Sequence, residues 1–514
     1  MSDGIFIGGG GEGYAAPQNL LLSLANRHGL IAGATGTGKT VTLQVLAEGF
    51  SAVGVPVFLS DVKGDLSGIA ATGSPLHKLH EPFRKRSATI GLDLQYTAFP
   101  VTFWDLFGEQ GHPVRSTVAE MGPLLLSRLM DLSDAQEGVL NVAFKLADDE
   151  GLPLLDLEDL QSLLIWCGQN ARDLSLRYGN VTTASVGAIQ RALLVLDNQG
   201  GTALFGEPAL DLMDFMRLDS LGRGMVNILS ADRLMDSPRM YATFLLWLLS
   251  ELFERLPEVG NPDKPKLVFF FDEAHLLFDD APKALVDKVE QVARLIRSKG
   301  VGVYFITQNP ADVPDSVLAQ LGNRVQHALR AFTGRDRREL EKAAETYRDN
   351  PRFDTATAIT EVGTGEAVTS TLDAKGVPQV VERTLIRPPS SQLGPCDPAL
   401  RAAIIAGSPM RGRYALRMNR DSAHEMLARR AADAAAGAAE GKAGTDGDGL
   451  NKARRYDGGR DSGRGRESEP IRAPRSRQTG GFGDALASVV VKELKGTTGR
   501  RIVRGIFGTL FRSR

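Results

Sequence analysis

Cysteine is scarce in this sequence of 514 residues, which contains only Cys167 and Cys396. Their wide separation argues against a disulfide framework and against a zinc site, and it is typical of a reducing compartment. A surplus of either charge is also lacking, because the formal net charge is −2. This balance neither favours nor excludes a nucleic-acid partner, so the distribution of charge along the chain matters more.

Apolar runs long enough to span a membrane are missing too. Residues 241–256 form one of the longest, but charged residues interrupt it and it is shorter than a spanning helix. The first thirteen residues are glycine-rich and polar, unlike a secretion signal. We therefore expect a soluble, cytoplasmic protein with no membrane partner.

Apolar segments that alternate between strand-like and helix-like patterns predict an α/β fold with a mainly parallel sheet. Between residues 117 and 216, leucine-rich helical periodicity replaces this alternation, so we expect a mostly helical insertion. The predicted strands are residues 28–32, 55–60, 99–105, 224–229, 266–271, 301–306, 325–332, 366–372 and 379–386.

Changes in composition divide the chain into six predicted segments. These are a first part of the core (1–112), a helical insertion (113–216), a second part of the core (217–395), a helical extension (396–430), a linker (431–480) and a basic amphipathic segment (481–514). The linker has few apolar residues, so its composition predicts disorder.

The last residues are locally basic, with sixteen Lys and Arg against six Asp and Glu over residues 451–514. Within them, residues 502–511 have the apolar spacing of a short terminal helix. This helix can dock on a protein surface, which we favour, or lie on an anionic membrane.

A phosphate-loop motif, GxxxxGK[ST], is complete at residues 33–40, between a predicted strand and a predicted helix. Its glycines let backbone N–H groups converge on phosphate oxygens. We predict that ATP binds here, with Lys39 on the β- and γ-phosphates and the Thr40 hydroxyl on Mg²⁺. The predicted ATP-binding residues are Gly33, Ala34, Thr35, Gly36, Thr37, Gly38, Lys39 and Thr40.

Two further strand ends carry polar residues suited to nucleotide hydrolysis. The apolar strand at 267–271 ends in Asp272 and Glu273, which predicts a metal-binding Asp272 and a Glu273 that polarises the attacking water. Gln308 directly follows the strand and Thr307. Because the carboxyl ends of parallel strands line the site, Gln308 is predicted to contact the γ-phosphate or its water.

Asp61 and Asp65 follow the second predicted strand at the same edge of the sheet. Asp61 is a candidate catalytic residue, through the metal or the water. The alternative is an Asp that caps a turn, and the sequence leaves both open. His275 and His327 are interpreted as structural histidines.

Candidate arginines for stabilising the transition state of a neighbouring subunit follow these motifs. Ordinary surface ion pairing is the alternative for each of them. We select Arg297, which precedes the turn at 298–300, over the others, which are Arg294, Arg324 and Arg330.

Longer strings support a family resemblance. They lie at residues 61–68, 111–115, 270–278, 295–302, 307–310 and 321–330. With its motifs in this order, the chain resembles the bacterial HerA-like (YjgR-type) ATPases of the HerA/FtsK superfamily. The resemblance implies a RecA-like core, a ring that is commonly hexameric, a strand-end glutamine sensor and an arginine that acts across the subunit interface, which corresponds to Arg297.

Two functions are compatible with this pattern. The first is a ring-forming, Mg²⁺-dependent ATPase that acts as a DNA translocase or helicase-like motor on double-stranded DNA. The second is a nucleotide-dependent switch or assembly scaffold with protein partners and no motor activity. About thirty residues precede the phosphate loop, and no DNA-reading module such as a winged helix is evident. Stimulation of ATP hydrolysis by DNA distinguishes the two functions.

Overall fold

The computed structural model describes residues 3–278 and 283–443. In this part of the chain, twelve strands join one sheet in the order β2-β1-β12-β11-β10-β3-β9-β8-β4-β7-β5-β6. In chain order the strands are β1 (Gly4–Gly10), β2 (Ala16–Leu21), β3 (Gly29–Ala32), β4 (Val57–Asp61), β5 (Val101–Asp105), β6 (His112–Pro113), β7 (Val226–Ser230), β8 (Leu267–Phe271), β9 (Val301–Thr307), β10 (Asn323–Gln326), β11 (Glu366–Ser370) and β12 (Glu382–Ile386).

The sheet is parallel from β10 through β3, β9, β8, β4, β7 and β5 to β6. From β10 through β11, β12 and β1 to β2 it is antiparallel. Strands β3, β4, β8 and β9 are buried along their whole length, which explains why they are continuous apolar runs in the sequence. The predicted α/β fold with a mainly parallel sheet is therefore confirmed.

Helices cover the sheet and form the insertion. In chain order they are α1 (Lys39–Ala52), α2 (His80–Thr89), α3 (Val118–Leu129), α4 (Asp134–Glu150), α5 (Leu157–Gln169), α6 (Ala171–Tyr178), α7 (Thr183–Asn198), α8 (Gly201–Leu204), α9 (Pro238–Arg255), α10 (Lys283–Leu295), α11 (Asp315–Leu318), α12 (Gly334–Glu345), α13 (Thr355–Glu361), α14 (Pro398–Gly407), α15 (Met410–Tyr414) and α16 (Ala423–Ala443). Six of them, α3 to α8, lie between β6 and β7 and form the helical insertion.

The core beneath the phosphate-loop helix is aromatic. Phe50 of α1 lies with its ring centroid 6.3 Å from that of Phe270 and 6.1 Å from that of Tyr304. Phe270 and Tyr304 are themselves 5.1 Å apart on adjacent strands. All three side chains are buried, so α1 is held firmly against β8 and β9.

The N-terminal residues differ from the sequence interpretation, which treated them only as glycine-rich and polar. They form the hairpin β1–β2, which extends the sheet beyond β12. A Cβ atom at Gly8 would lie 2.1 Å from the carbonyl oxygen of Leu385, so only glycine allows β1 to approach β12 this closely. The hairpin lacks apolar alternation at its glycines, which is why the strand pattern is not visible in the sequence.

The strand predicted over residues 325–332 ends earlier, because β10 stops at Gln326. The next residues turn onto the phosphate loop, where the Ala328 carbonyl accepts a hydrogen bond from the Ala34 amide at 2.8 Å. This contact draws the chain out of the sheet, so the prediction was wrong for residues 327–332.

The chain divides into a unit of residues 1–423, which holds the sheet, and a second unit of residues 424–514. Helix α16 continues to Ala443, past residue 431 where the sequence predicted a linker to begin. The rest of that linker and the predicted terminal helix lie outside the described residues. Within the described part of the chain, no helix is both long and apolar enough to cross a membrane.

Candidate nucleotide-binding site

The phosphate loop connects β3 to α1 and is built on glycines with positive φ angles. Gly33, Gly36 and Gly38 have φ angles of 150°, 77° and 120°, a region that side chains with a Cβ rarely adopt. Gly38 is the N-cap of α1 and no side chain caps the helix there. The first N–H groups of α1 are therefore open to a phosphate group, which is the ligand they suit best.

Lys39 is buried beneath this loop. Its Nζ donates hydrogen bonds to the carbonyl oxygens of Gly33 at 2.5 Å and Ala34 at 3.2 Å. Burial, reinforced by the nearby Lys63 ammonium, lowers the pKa of Lys39. The ammonium group thus sits inside the loop with carbonyl partners only, and a triphosphate would supply the counter-charge that it lacks there.

Two contacts brace the phosphate loop from behind. The His327 ring is within hydrogen-bonding distance of the Thr42 hydroxyl at 2.8 Å and of the Glu366 carbonyl at 2.9 Å. Burial lowers the pKa of His327 to about 4, so the ring is neutral near pH 7. The Gly365 amide also donates to the Thr37 carbonyl at 3.0 Å. The structural role predicted for His327 is confirmed.

Asp272 lies at the carboxyl end of β8, held by its backbone. Its amide donates to the Ser60 hydroxyl at 3.2 Å, and its carbonyl accepts from the Tyr241 hydroxyl at 2.8 Å. Burial, together with the adjacent Glu273 carboxylate, raises the pKa of Asp272 to about 7. A carboxylate with little solvation and one like-charged neighbour is suited to a cation, and Mg²⁺ commonly takes one or two protein ligands beside phosphate and water oxygens. Asp272 and the Thr40 hydroxyl fit that description.

Glu273 has an unusual backbone, with φ 49° and ψ 50°. Left-handed backbone is uncommon outside glycine and clusters at functional sites. The side chain is 7% exposed, and its carboxylate meets three groups. Lys63 Nζ lies 3.2 Å from Oε1, while Gln308 Nε2 and His275 Nδ1 each lie 3.5 Å from Oε2. The loops after β4, β8 and β9 therefore converge on one carboxylate.

Lys63 is a site residue that the sequence interpretation missed. Burial opposes its charge, but the carboxylates of Glu273 and Asp272 outweigh this and raise the pKa of Lys63. The string at 61–65 was recognised, yet only its two acids were considered as functional. A lysine flanked by glycine and acids, in a loop that leads from a buried strand to the site edge, was the signal available.

Asp61 caps the turn that contains Lys63. Its two carboxylate oxygens accept hydrogen bonds from the amides of Asp65 at 3.0 Å and Leu66 at 3.1 Å. Burial, with a smaller contribution from Asp65, raises the pKa of Asp61 to about 6. Of the two interpretations of Asp61, the structure shows the turn cap, and a catalytic role stays a prediction. Through this turn, Asp61 positions Lys63.

Arg297 lies at the opposite edge of the sheet from the phosphate loop, because it precedes β9 whereas the loop follows β3. It is half-buried next to Arg27, and burial followed by the charge of Arg27 lowers the pKa of Arg297. Neither arginine forms an ion pair with an acid in the described ranges. Among the other candidates, Arg324 bonds Leu318, Leu321 and Thr346, and Arg294 and Arg330 are exposed.

The sheet order β10-β3-β9-β8-β4, with a phosphate loop after β3, an acid pair after β8 and a glutamine after β9, defines a RecA-like P-loop core. Within this class the chain belongs to the helicase HerA-like C-terminal family, whose model matches residues 11–514.

A curated relative is the DNA double-strand break repair helicase HerA of Sulfolobus acidocaldarius. It is 21% identical over 361 residues, which cover 68% of this chain and 63% of the relative. The match therefore spans less than two thirds of that relative's length.

Solved structures with a similar chain path include VirB4 of Thermoanaerobacter pseudethanolicus, with a TM-score of 0.48 and 14% identity over 78% of this chain and 98% of VirB4. The bacterial conjugative coupling protein TrwB, in its unbound form, also gives a TM-score of 0.48, with 14% identity over 76% of this chain and 92% of TrwB.

Proposed function

We propose that this protein is a ring-forming ATPase that hydrolyses ATP with Mg²⁺ and drives movement along DNA. The observation that carries the proposal is the convergence of Lys63, Gln308 and His275 on the Glu273 carboxylate, beside a phosphate loop whose lysine lacks an acidic partner. Membership of the HerA-like family supports the same assignment.

Each residue of the site has a distinct task in this proposal. The phosphate-loop amides and Lys39 hold the β- and γ-phosphates, and Thr40 and Asp272 hold Mg²⁺. Bound Mg²⁺ neutralises phosphate charge during transfer. Glu273 orients the attacking water and accepts its proton, and Gln308 positions that water from the opposite side. Lys63 holds the Glu273 carboxylate toward the phosphate loop.

Arg297 completes the site of a neighbouring subunit rather than its own. Strand β9 has seven residues, which span about 23 Å at 3.3 Å per residue, and Arg297 lies at the end of it away from Gln308. An arginine pair without acidic partners in the described part of the chain favours an anion brought by another molecule. Arg297 and Arg27 therefore reach the γ-phosphate across the interface of a ring, for which six subunits are proposed.

Double-stranded DNA is the proposed substrate, and the cytoplasm the proposed location. The relative from Sulfolobus acidocaldarius is named as a DNA double-strand break repair helicase, and its match is the basis for choosing DNA. Two free, buried cysteines are compatible with a reducing compartment.

The test is the rate of ATP hydrolysis with and without double- and single-stranded DNA, at low and moderate salt. A motor that follows phosphates should be stimulated by DNA, and salt should weaken the stimulation because bound counterions are released on binding. Hydrolysis that is indifferent to DNA would favour the switch or scaffold instead. A control with Lys39→Ala should neither bind nor hydrolyse ATP.

A further inference from the structure

The segment after β10 connects the phosphate loop to an exposed aromatic side chain. The Ala328 carbonyl accepts a hydrogen bond from Ala34 of the phosphate loop at 2.8 Å. Four residues later, the Phe332 side chain is 85% exposed. An apolar ring with this exposure, so close to a nucleotide site, calls for a physical explanation.

The backbone at Phe332 is held in place although its side chain is in solvent. Thr333 and Asp336 form a capping box at the start of α12, and the Asp336 carboxylate also accepts the Phe332 amide at 2.9 Å. An apolar residue before the N-cap usually packs on the fourth helical residue, but that residue is Arg337. Phe332 is therefore presented on a rigid base without an apolar partner in its own helix.

The charge around Phe332 is positive. Arg330, Arg337 and Arg338 are exposed, and none of them forms an ion pair with an acid in the described ranges. The nearby acids are already engaged, since Asp336 caps α12 and Glu339 pairs with Arg335 at 2.7 Å. Three guanidinium groups beside one exposed ring leave an unbalanced cationic surface, which attracts a polyanion.

We propose that this surface, the basic loop (Arg330, Phe332, Arg337 and Arg338), binds a strand of nucleic acid. Arginine forks match phosphate oxygens, and an exposed aromatic ring stacks on an unpaired base whatever its sequence. The basic loop is thus the part of the protein that follows the backbone of the DNA. This inference rests on the proposed function and assigns its nucleic-acid contact.

A chain of side-chain contacts links the basic loop to the hydrolysis site. Glu339 of α12 accepts a hydrogen bond from Arg335 at 2.7 Å and another from the Asn309 amide group at 2.5 Å. Asn309 directly follows Gln308, whose amide lies 3.5 Å from the Glu273 carboxylate. A movement of α12 on nucleic-acid binding therefore shifts Gln308, so Glu339 is a positioning residue for hydrolysis.

Binding is tested with fluorescein-labelled oligothymidine and a labelled duplex, using the full chain. Phe332→Ala should weaken oligothymidine binding about fivefold or more, and should affect the duplex less because its bases are stacked. Arg337→Gln with Arg338→Gln should weaken both and reduce the slope of log affinity against log salt by about 1.4, from two contacts at about 0.7 each on single strands.

Exposed residues of the helical insertion provide matched controls. Arg172→Gln with Arg191→Gln removes two exposed arginines, and Leu176→Ala removes an exposed apolar side chain. These controls should leave both affinities unchanged. If the basic-loop variants bind both oligonucleotides like the wild type, the inference is wrong. If Phe332→Ala instead changes only the mass of the assembled protein, the basic loop is a contact between subunits.

The link to hydrolysis is tested by Glu339→Ala. This variant should bind oligothymidine normally while losing most of the stimulation of ATP hydrolysis by DNA, and Glu339→Gln should restore it, because its amide oxygen still accepts from Asn309. Lost stimulation without rescue would point to a merely structural role and contradict the link. Wild-type protein that hydrolyses ATP without any response to DNA would refute the proposed motor, whereas stimulated hydrolysis in Phe332→Ala with unchanged DNA affinity would refute only the basic loop.

Discussion

The Lys63 ammonium lies 3.2 Å from a carboxylate oxygen of Glu273, although the two residues come from loops after different strands. Lys63 is 43% exposed and Glu273 only 9% at its side chain, so the pair joins the solvent to the buried acids of the site. With Asp272 adjacent, Lys63 supplies the positive charge that allows two carboxylates to stand side by side.

Replacing Lys63 should therefore reduce hydrolysis more than nucleotide binding. Lys63→Ala leaves Glu273 without its orienting charge, and we expect the kcat of ATP hydrolysis to fall about tenfold or more. Lys63→Arg keeps the charge and should retain part of the rate. Lys78→Ala, at an exposed lysine further along the same connection, is the control. Wild-type kcat in Lys63→Ala would show that this ion pair has no catalytic importance.

Mixed rings test whether Arg297 acts between subunits. Rings made only of Arg297→Ala or only of Glu273→Gln should be inactive, because every site lacks one essential group. Co-expression of the two variants should restore part of the hydrolysis, since some interfaces then combine an intact Glu273 with an intact Arg297 from the neighbour. Mixtures with no more activity than either parent would exclude an arginine shared across the interface.

His28 makes the free energy of unfolding depend on pH. Burial, with the charges of Arg297 and Arg27, lowers the pKa of His28 to about 4, and its ring contacts Ala293 and Val303. The unfolded chain thus binds the extra proton between pH 6.5 and 4, so the stabilisation is complete above pH 6.5 and is lost as the pH falls toward 4.

His28→Gln keeps a donor and an acceptor but does not titrate. Over that pH window, its unfolding free energy should fall less steeply than that of the wild type, by up to about 1.4 kcal/mol per pH unit. Urea unfolding at pH 7, 6 and 5 measures the difference. Parallel pH dependences in the two proteins would mean that His28 is not buried as a neutral ring.

Gly8→Ala tests the close approach of β1 to β12. The new Cβ atom would lie 2.1 Å from a backbone oxygen of Leu385, which cannot rotate away, so we expect a loss of about 1–3 kcal/mol in unfolding free energy. Gly138→Ala, inside α4 with no atom within 4 Å of its added Cβ, should instead be neutral or stabilise slightly. Equal effects of both substitutions on the urea midpoint would contradict the strand pairing.

Sequence patterns predicted the parts of the fold that are repetitive and apolar. Strands β3, β4, β8 and β9 are recognisable because parallel strands buried on both faces are continuous apolar runs. The hairpin β1–β2 was missed because glycines at Gly8 and Gly9 serve backbone proximity and leave no hydrophobic pattern. The residues after Gln326 leave the sheet because of the hydrogen bond to Ala34, which no local pattern encodes.

The site divides in the same way. Lys39, Asp272 and Gln308 belong to local motifs at strand ends, so their neighbourhood could be predicted from topology. Lys63 and the Glu339–Asn309 contact join segments far apart in the chain, and only the folded structure brings them together. Phe332 was predicted as the last residue of a strand, and its exposure depends on the identity of Arg337 one turn later.

The most direct test of the account is the behaviour of Glu273→Gln, which preserves the shape of the side chain and removes its basicity. We expect this variant to bind a fluorescent ATP analogue with wild-type Kd and to hydrolyse ATP at least about a hundredfold more slowly, with Glu258→Gln, at an exposed acid, unaffected. If Glu273→Gln hydrolyses ATP at the wild-type rate, Glu273 is not the catalytic base, and the role assigned to the carboxylate at the centre of this site is wrong.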